Sequence, residues 1–371
     1  METAAFASGR TKTVRSMSDR LGTVRVGVVQ AASKFLDREG STARAIELIE
    51  EAGSLGAELI VFPEGFIPGH PSWYHFHAGS SAAGRQMGGE LFRNSIVVGG
   101  AETDQIGNAA QRAKARVIIG VCEKRGATKG TMWNSSIHFD ERGQIASIRR
   151  KLTPTVGERL VHVGGSSEGL KLTETRFGRV SNLICAENFN PLMIFSLIAQ
   201  QSLVHTAQWP AHFAREANVM REIIGIASRA LAYQSGSYVL SSAGLLDEEG
   251  VERTGRSEED RAWLRQPGNQ GGSCIVAPSG KVIAEADDEE TILLAELELD
   301  RVIDKSLIQD YAGHYNRADI FKLSIIQGND TIFEAPWNDP DMSAVRDTEV
   351  CTSKGPEADD VGATQSVVNR D

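Results

Sequence analysis

Short apolar runs that alternate with helical patterns are the strongest restraint on the architecture open to this chain. VRVGVVQ (Val24–Gln30) and ELIVFPE (Glu58–Glu64) read as buried strands, the second stopped by Pro63. Between them STARAIELIEEAGSLGA reads as a helix, with Ser41 as its N-cap and Gly53 and Gly56 near its end. RVIIGVCE (Arg116–Glu123) is a third strand, and WNSSIHFDERGQIASIRRKL reads as a hairpin turning at Glu141 to Gly143. The order then recurs in kind: strand RVSNLIC, helix PLMIFSLIAQQ, strand SLVHTAQ, helix ANVMREIIGIASRALAYQSG and strand YVLSSAG. A hairpin, GGSCIVAPSGKVIAEA, and the strand TILLAELEL complete it. This alternation predicts an α/β layered fold, and the similar order of the halves predicts a structural repeat without a sequence repeat.

Composition narrows the function classes. The chain has 371 residues, 41% of them hydrophobic and 24% charged, which suits a soluble globular protein with a sizeable core. Its net charge of −10 argues against a nucleic-acid surface, since nothing would neutralise a row of phosphates. The sequence has no apolar run of about eighteen residues, the length a membrane helix needs. Residues 1–22 have no apolar signal segment and read as a flexible extension; from 328 to 371 the sequence is polar, acidic and aperiodic, a tail expected to be disordered or to wrap a partner. The main domain is expected over 23–327. Four cysteines without a C-x-x-C pair make no disulfide scaffold and point to a reducing cytoplasm, and the eight scattered histidines suggest no metal site.

Three segments carry chemistry. Cys185 ends its strand in NLICAEN, followed by Pro191 near a helix start. Ligands of open α/β sheets bind at the carboxyl ends of strands, and a helix beginning just beyond would lower a thiol's pKa. Position alone leaves nucleophile and core residue equally open, whereas Cys122 and Cys274 read as core. Glu64, in LIVFPEGFIPGHP, is by itself a loop carboxylate or a capping acid; its functional reading is a general base set by partial burial. Lys151, in IRRKLTPTVGERL, is by itself a solvated charge. Beside a thiol and a carboxylate it could instead stabilise developing negative charge.

Taken in the order Glu64, Lys151, Cys185, the three resemble the nitrilase (carbon–nitrogen hydrolase) family, which uses a Glu-Lys-Cys triad. LIVFPEGFIPGHP, RRKLTPTVGERL and LICAENFNPL match its three segments, and HTAQWP and GHYNRADIF resemble further blocks of the nitrilase branch. The resemblance spans roughly residues 24 to 325. It implies a four-layer αββα sandwich, Cys185 as nucleophile, Glu64 as general base, Lys151 as stabiliser and Glu158 as a second carboxylate. It also implies a small-molecule nitrile substrate, no cofactor, and dimers that extend into larger helical assemblies. Rivals are an amidase or carbamoyl hydrolase of the same superfamily, a cyanide-degrading relative, and a non-catalytic filament-forming or binding protein.

One letter departs from the family's commonest pattern. Many nitrilases read C-W-E, and here the middle residue is Ala186. Loss of an indole beside the reacting atom implies a wider pocket, suited to an arylacetonitrile or a 2-substituted nitrile. Trp209 and Pro210 of HTAQWP and Trp73 of HPSWYHFH are expected to line it, although that last segment reads equally well as a packing loop.

Overall fold

The computed structural model describes residues 21–126, 128–215 and 220–327. The N-terminal extension up to residue 20, the acidic tail with Cys351, and the first residues of the expected helix from Ala217 lie outside them.

In the first half the elements are β1 (Thr23–Gln30), β2 (Ala32–Ser33), α1 (Arg38–Ser54), β3 (Leu59–Val61), α2 (Ala82–Asn94), α3 (Ala101–Ala113), β4 (Arg116–Lys124), β5 (Met132–Phe139) and β6 (Ile145–Arg150). The second half has β7 (Thr173–Thr175), β8 (Gly178–Ile184), α4 (Pro191–Ala199), β9 (Val204–Trp209), α5 (Met220–Ser235), β10 (Tyr238–Ala243) and β11 (Leu245–Leu246). It ends with α6 (Glu248–Thr254), α7 (Glu258–Leu264), β12 (Cys274–Val276), β13 (Val282–Glu285), β14 (Thr291–Glu298) and α8 (Asp300–Ser306).

Two six-stranded sheets form, ordered β14-β1-β3-β4-β5-β6 and β13-β12-β10-β9-β8-β7. β1, β3 and β4 are parallel neighbours, as are β8, β9 and β10, and antiparallel strands flank each trio. The structural repeat expected from element order is therefore present in the pairing.

The apolar runs lack polar alternation because both faces of the central strands are covered. Val26 and Val28 of β1, Leu59 and Val61 of β3 and Ile118 of β4 meet Val180, Val204 and Leu240 between the sheets. Val29, Ile60, Val117 and Ile119 point the other way, against Ile49 and Ala52 of α1 and Ile106 and Ala110 of α3. On the far side Ala207, Val239 and Val276 pack on Ile194 of α4 and Ile224 and Leu231 of α5. The layers run helix, sheet, sheet, helix, the αββα sandwich expected from the sequence.

Helix α1 starts earlier than expected. Asp37 is its N-cap, accepting from the Gly40 N–H, whereas Ser41 is buried within the first turn. The Ser41 hydroxyl donates instead to the Lys34 carbonyl at 2.8 Å. An aspartate cap was available one turn upstream and left serine free to tie the preceding loop.

Candidate active site

Glu64 stands three residues beyond β3, where Pro63 has ended the ladder and Gly65 takes a φ of +60°. Two backbone features hold this turn. The Glu64 N–H donates to the Trp209 carbonyl at 3.1 Å, joining the end of β3 to the end of β9 across the two sheets. Gly120 of β4 lies directly beneath, and a Cβ there would come within 2.2 Å of the Pro63 carbonyl oxygen. No larger residue at 120 leaves Glu64 where it is.

Lys151 follows β6, and its N–H donates to the Asn134 carbonyl at 2.8 Å. Its ammonium lies 2.7 Å from Glu64 Oε1 and also donates to Glu158 Oε2, with the lysine side chain fully enclosed. Glu158 sits in a short 3₁₀ turn, Val156–Leu160, and accepts the Thr155 N–H at 2.8 Å. Asn134 of β5 donates to Glu64 Oε1 and to Glu158 Oε1, at 2.6 Å each. Glu64 thus joins Lys151 and Glu158, which are remote from it in sequence, in one buried charge cluster. Burial works against the ammonium, but Glu64, Cys185 and Glu158 outweigh it and raise the Lys151 pKa above its ordinary value. Burial likewise opposes ionisation of Glu158, yet Lys151 and the neighbouring histidines hold it well below the usual carboxylate range.

Cys185 opens a 3₁₀ turn, Cys185–Phe189, directly after β8, and has a φ of +52°. A left-handed conformation at a non-glycine residue is strained and persists only where its surroundings enforce it. Glu187 does much of the enforcing. It accepts the Ile184 N–H at 2.9 Å and the Leu152 N–H at 2.7 Å, and pairs with Arg149 at 2.7 Å. One carboxylate thereby clamps the cysteine turn to the strand end that carries Lys151. Asn188 adds a donor to the Cys185 carbonyl at 2.9 Å, and His205 fixes Asn188 at 2.8 Å.

The expected lowering of the thiol's pKa is corrected by the structure. Burial raises the Cys185 pKa well above the ordinary thiol range, Glu64 and Glu158 add to this, and Lys151 and the Ala186 N–H oppose it without prevailing. The balance of these charges favours the protonated thiol.

The remaining expected residues fall in different settings. Ala186 is half-buried next to the cysteine, at the rim of the α4–α5 core. Trp209 and Pro210 are buried at the end of β9, with the Trp209 ring edge-on to Phe189 and Phe213. Trp73 is fully enclosed among Phe35, Met87, Leu91 and Met132. Asn134, His70 and His162 were not singled out from sequence. An asparagine inside an apolar strand was the available signal for Asn134. His70 Nε2 lies 3.5 Å from both Glu64 Oε1 and Glu158 Oε1, and His162 Nδ1 lies 3.4 Å from Glu158 Oε1. Glu64, His70 and Glu158 offer atoms within 4.8 Å of one another, a grouping able to hold a cation, and the Lys151 ammonium supplies that charge against both carboxylates.

Comparison with known proteins gives the family. Residues 25–305 match the carbon-nitrogen hydrolase family. An aliphatic nitrilase of Rhodococcus rhodochrous is 33% identical over 84% of this chain and 81% of its own. An arylacetonitrilase of Hypocrea virens is 31% identical over 84% of this chain and 93% of its own. A carbon-nitrogen hydrolase structure from Helicobacter pylori G27 superimposes with a TM-score of 0.62 at 20% identity, covering 80% of this chain and 96% of that one. The chain belongs to the carbon–nitrogen hydrolase family, in its nitrilase branch.

Proposed function

We propose that this enzyme hydrolyses an organic nitrile to a carboxylic acid and ammonia, with Cys185 as nucleophile, Glu64 as general base, Lys151 as electrostatic stabiliser and Glu158 as the carboxylate that positions the lysine. The observation that carries the reading is the contrast between the two oxygens of Glu64. Oε1 accepts from Lys151 and Asn134, whereas Oε2 is buried with no hydrogen-bond partner among the described residues. A buried carboxylate oxygen without a partner, on a residue that interacts electrostatically with Cys185, is suited to take the thiol proton.

The reaction then runs in two halves. Glu64 takes the thiol proton, sulfur bonds to the nitrile carbon, and the nitrogen is protonated to give a thioimidate. Water, deprotonated by Glu64, adds to that carbon; Glu64 passes this proton and then that of the new hydroxyl to nitrogen, the C–N bond breaks, and ammonia leaves a thioester. A second water cleaves the C–S bond, releasing the acid and returning the proton to sulfur. Lys151, held cationic between two carboxylates, offsets the charge that develops on the substrate in each addition.

The substrate in this reading is an arylacetonitrile or a 2-substituted nitrile. Relatives named for aliphatic nitriles and for arylacetonitriles are both similar to the chain, so their names do not choose between the two classes. Ala186 supports the roomier class, because a methyl group stands beside the sulfur where many family members carry an indole. In this reading Trp209 and Pro210, buried at the end of β9, are the pocket-lining residues, whereas Trp73, fully enclosed in the core with Phe35, Met87, Leu91 and Met132, has the packing role that its segment also allowed. Ammonia release from phenylacetonitrile, benzonitrile, a short aliphatic nitrile and the matching amides tests this, with Cys185→Ala as control. Phenylacetonitrile is expected to lead and the control to be silent; a lead for benzonitrile or the aliphatic nitrile overturns the substrate class, and a lead for the amides overturns the nitrilase reading. Ala186→Trp is expected to shift the acid-to-amide ratio.

Self-association and a cytoplasmic setting belong to the same reading. Leu192 of α4 and Ile226 of α5 are each 64% exposed on the outer helical layer, which supports a dimer as the building block of larger spirals. Light scattering is expected to give a multiple of 40.1 kDa, and a monomer at micromolar concentration would remove this element. The three described cysteines are free, in keeping with a reducing compartment, and no described helix is long and apolar enough to cross a membrane.

A further inference from the structure

We propose that His70 is the proton port of this site, carrying to water the proton that each turnover leaves on the buried carboxylates. The inference rests on the nitrile-hydrolysis reading and adds a residue outside the Glu64, Lys151 and Cys185 set.

Geometry puts His70 in that position. The segment after Glu64 folds back on itself, with the Gly69 N–H donating to the Gly65 carbonyl at 2.9 Å. A Cβ on Gly65 would press on the His70 backbone at 3.2 Å, so the glycine lets the histidine close over the glutamate. The ring then spans two environments. Nε2 faces Glu64 Oε1 and Glu158 Oε1, 3.5 Å from each, and Nδ1 lies 2.7 Å from the Ser72 hydroxyl. A hydroxyl can donate to Nδ1 or accept from it, so the ring is supported with its proton on either nitrogen.

The other charged and titratable groups facing this point include Lys151, between the two carboxylates, the Cys185 and Cys122 thiols, both buried, His162 on the far side of Glu158, and His212 on the loop after β9. The side chains of Glu64, Lys151 and His162 are 0% exposed and that of Glu158 is 3% exposed, against 10% for His70. Among these groups only His70 both approaches the general base and reaches toward solvent.

The chemistry supplies a proton that needs such a route. The acid formed by deacylation ionises at neutral pH, and a carboxylate product beside Glu64 leaves only once that proton has gone elsewhere. Glu64 takes it from the product on the free Oε2; the carboxyl then turns to bring that O–H to the side facing His70, and the O–H bond breaks as the His70 Nε2–H bond forms. The imidazolium then releases a proton to water through the exposed tenth of its own side chain, Ser72 being itself buried, and the ring returns to the tautomer with Nε2 bare before the next turnover. Glu64 is again a carboxylate, ready for the next thiol, with no oxidant or further reactant consumed.

Ammonia leaves before this step, and that order makes the idea testable. Rapid-quench ammonia measurements on the best nitrile of the panel would compare the parent, His70→Ala, His70→Gln and Cys185→Ala. Both His70 variants are expected to keep a first-turnover ammonia burst equal to the active sites. Their steady-state kcat is expected to fall about ten- to a hundredfold, the scale of one proton-transfer catalyst. Imidazole in the buffer is expected to restore that rate in proportion to its concentration. His70→Gln retains a donor toward the carboxylates, so it separates relay from simple hydrogen bonding and guards against misfolding of the alanine variant. Parent-like turnover in either variant, loss of the burst, or a defect that resists imidazole and other small buffers overturns the proposal. A parent chain that releases no ammonia from any nitrile or amide overturns the hydrolase reading itself, and this one with it.

Discussion

At the scale of single residues the site is a problem in charge. Two carboxylates, Glu64 and Glu158, share one ammonium in a place with almost no water. The lysine is therefore structural as well as chemical. Removing one partner of a buried ion pair costs about 3–5 kcal/mol, because the other charge is left uncompensated. Lys151→Met is expected to lose stability on that scale as well as turnover. Adding Glu158→Gln should return most of the stability and none of the activity. Urea unfolding of the parent, single and double variants measures this, and a Lys151→Met protein as stable as the parent would sink it. None of this was legible locally: Lys151 follows two arginines in a run that reads as surface charge. What marked it was its order with Glu64 and Cys185, which is a property of the family and not of the segment.

Among the elements, the decisive one is the five-residue turn Cys185–Phe189. The sequence suggested that the helix beginning near Pro191 would acidify the thiol. That helix is present as α4, but burial and the Glu64 and Glu158 carboxylates raise the thiol's pKa nonetheless. Glu187 ties the β8 end to the segment after β6 through Arg149 and the Leu152 N–H. Glu187→Gln leaves Arg149 buried without a counter-charge, and is expected to cost about 3 kcal/mol or more. It should also slow alkylation of Cys185 by iodoacetamide as the turn loosens. In a double-mutant cycle with Arg149→Met, residues in contact are expected to couple by about 0.5–3 kcal/mol, and additive losses would show that the clamp does not act as a unit.

For the whole molecule, acid is the expected weakness. His138, His205 and His212 are buried with pKa values pushed down to about 3, first by burial and, for His138 and His205, by the charge of Arg149. Each binds its proton near 6.5 when unfolded and near 3 when folded, so the unfolded chain binds more protons between those values. Stability from these groups is complete above 6.5 and falls with pH by about 1.4 kcal/mol per unit for each histidine. Glu158, held well below its ordinary 4.5, adds to the loss only under that value. Urea midpoints measured from pH 7.5 to 4.5 are expected to decline steadily, and a flat profile would sink the assignment.

The strand–helix order, the α/β layers and the repeat between halves were readable along the chain, because burial on both faces leaves an unbroken apolar run that no other setting produces. The ends of those runs also announced Glu64 and Cys185. Helices α2 and α3 were harder to read, since glycines such as Gly84, Gly88 and Gly107 interrupt their patterns. Three-dimensional packing alone settled the protonation of the thiol, the pairing of Lys151 with two acids, and the approach of His70 and Asn134. Electrostatics in a buried site depends on distances of a few ångströms between segments remote in sequence, such as Lys151 and Glu64, 87 residues apart, and local sequence does not encode them.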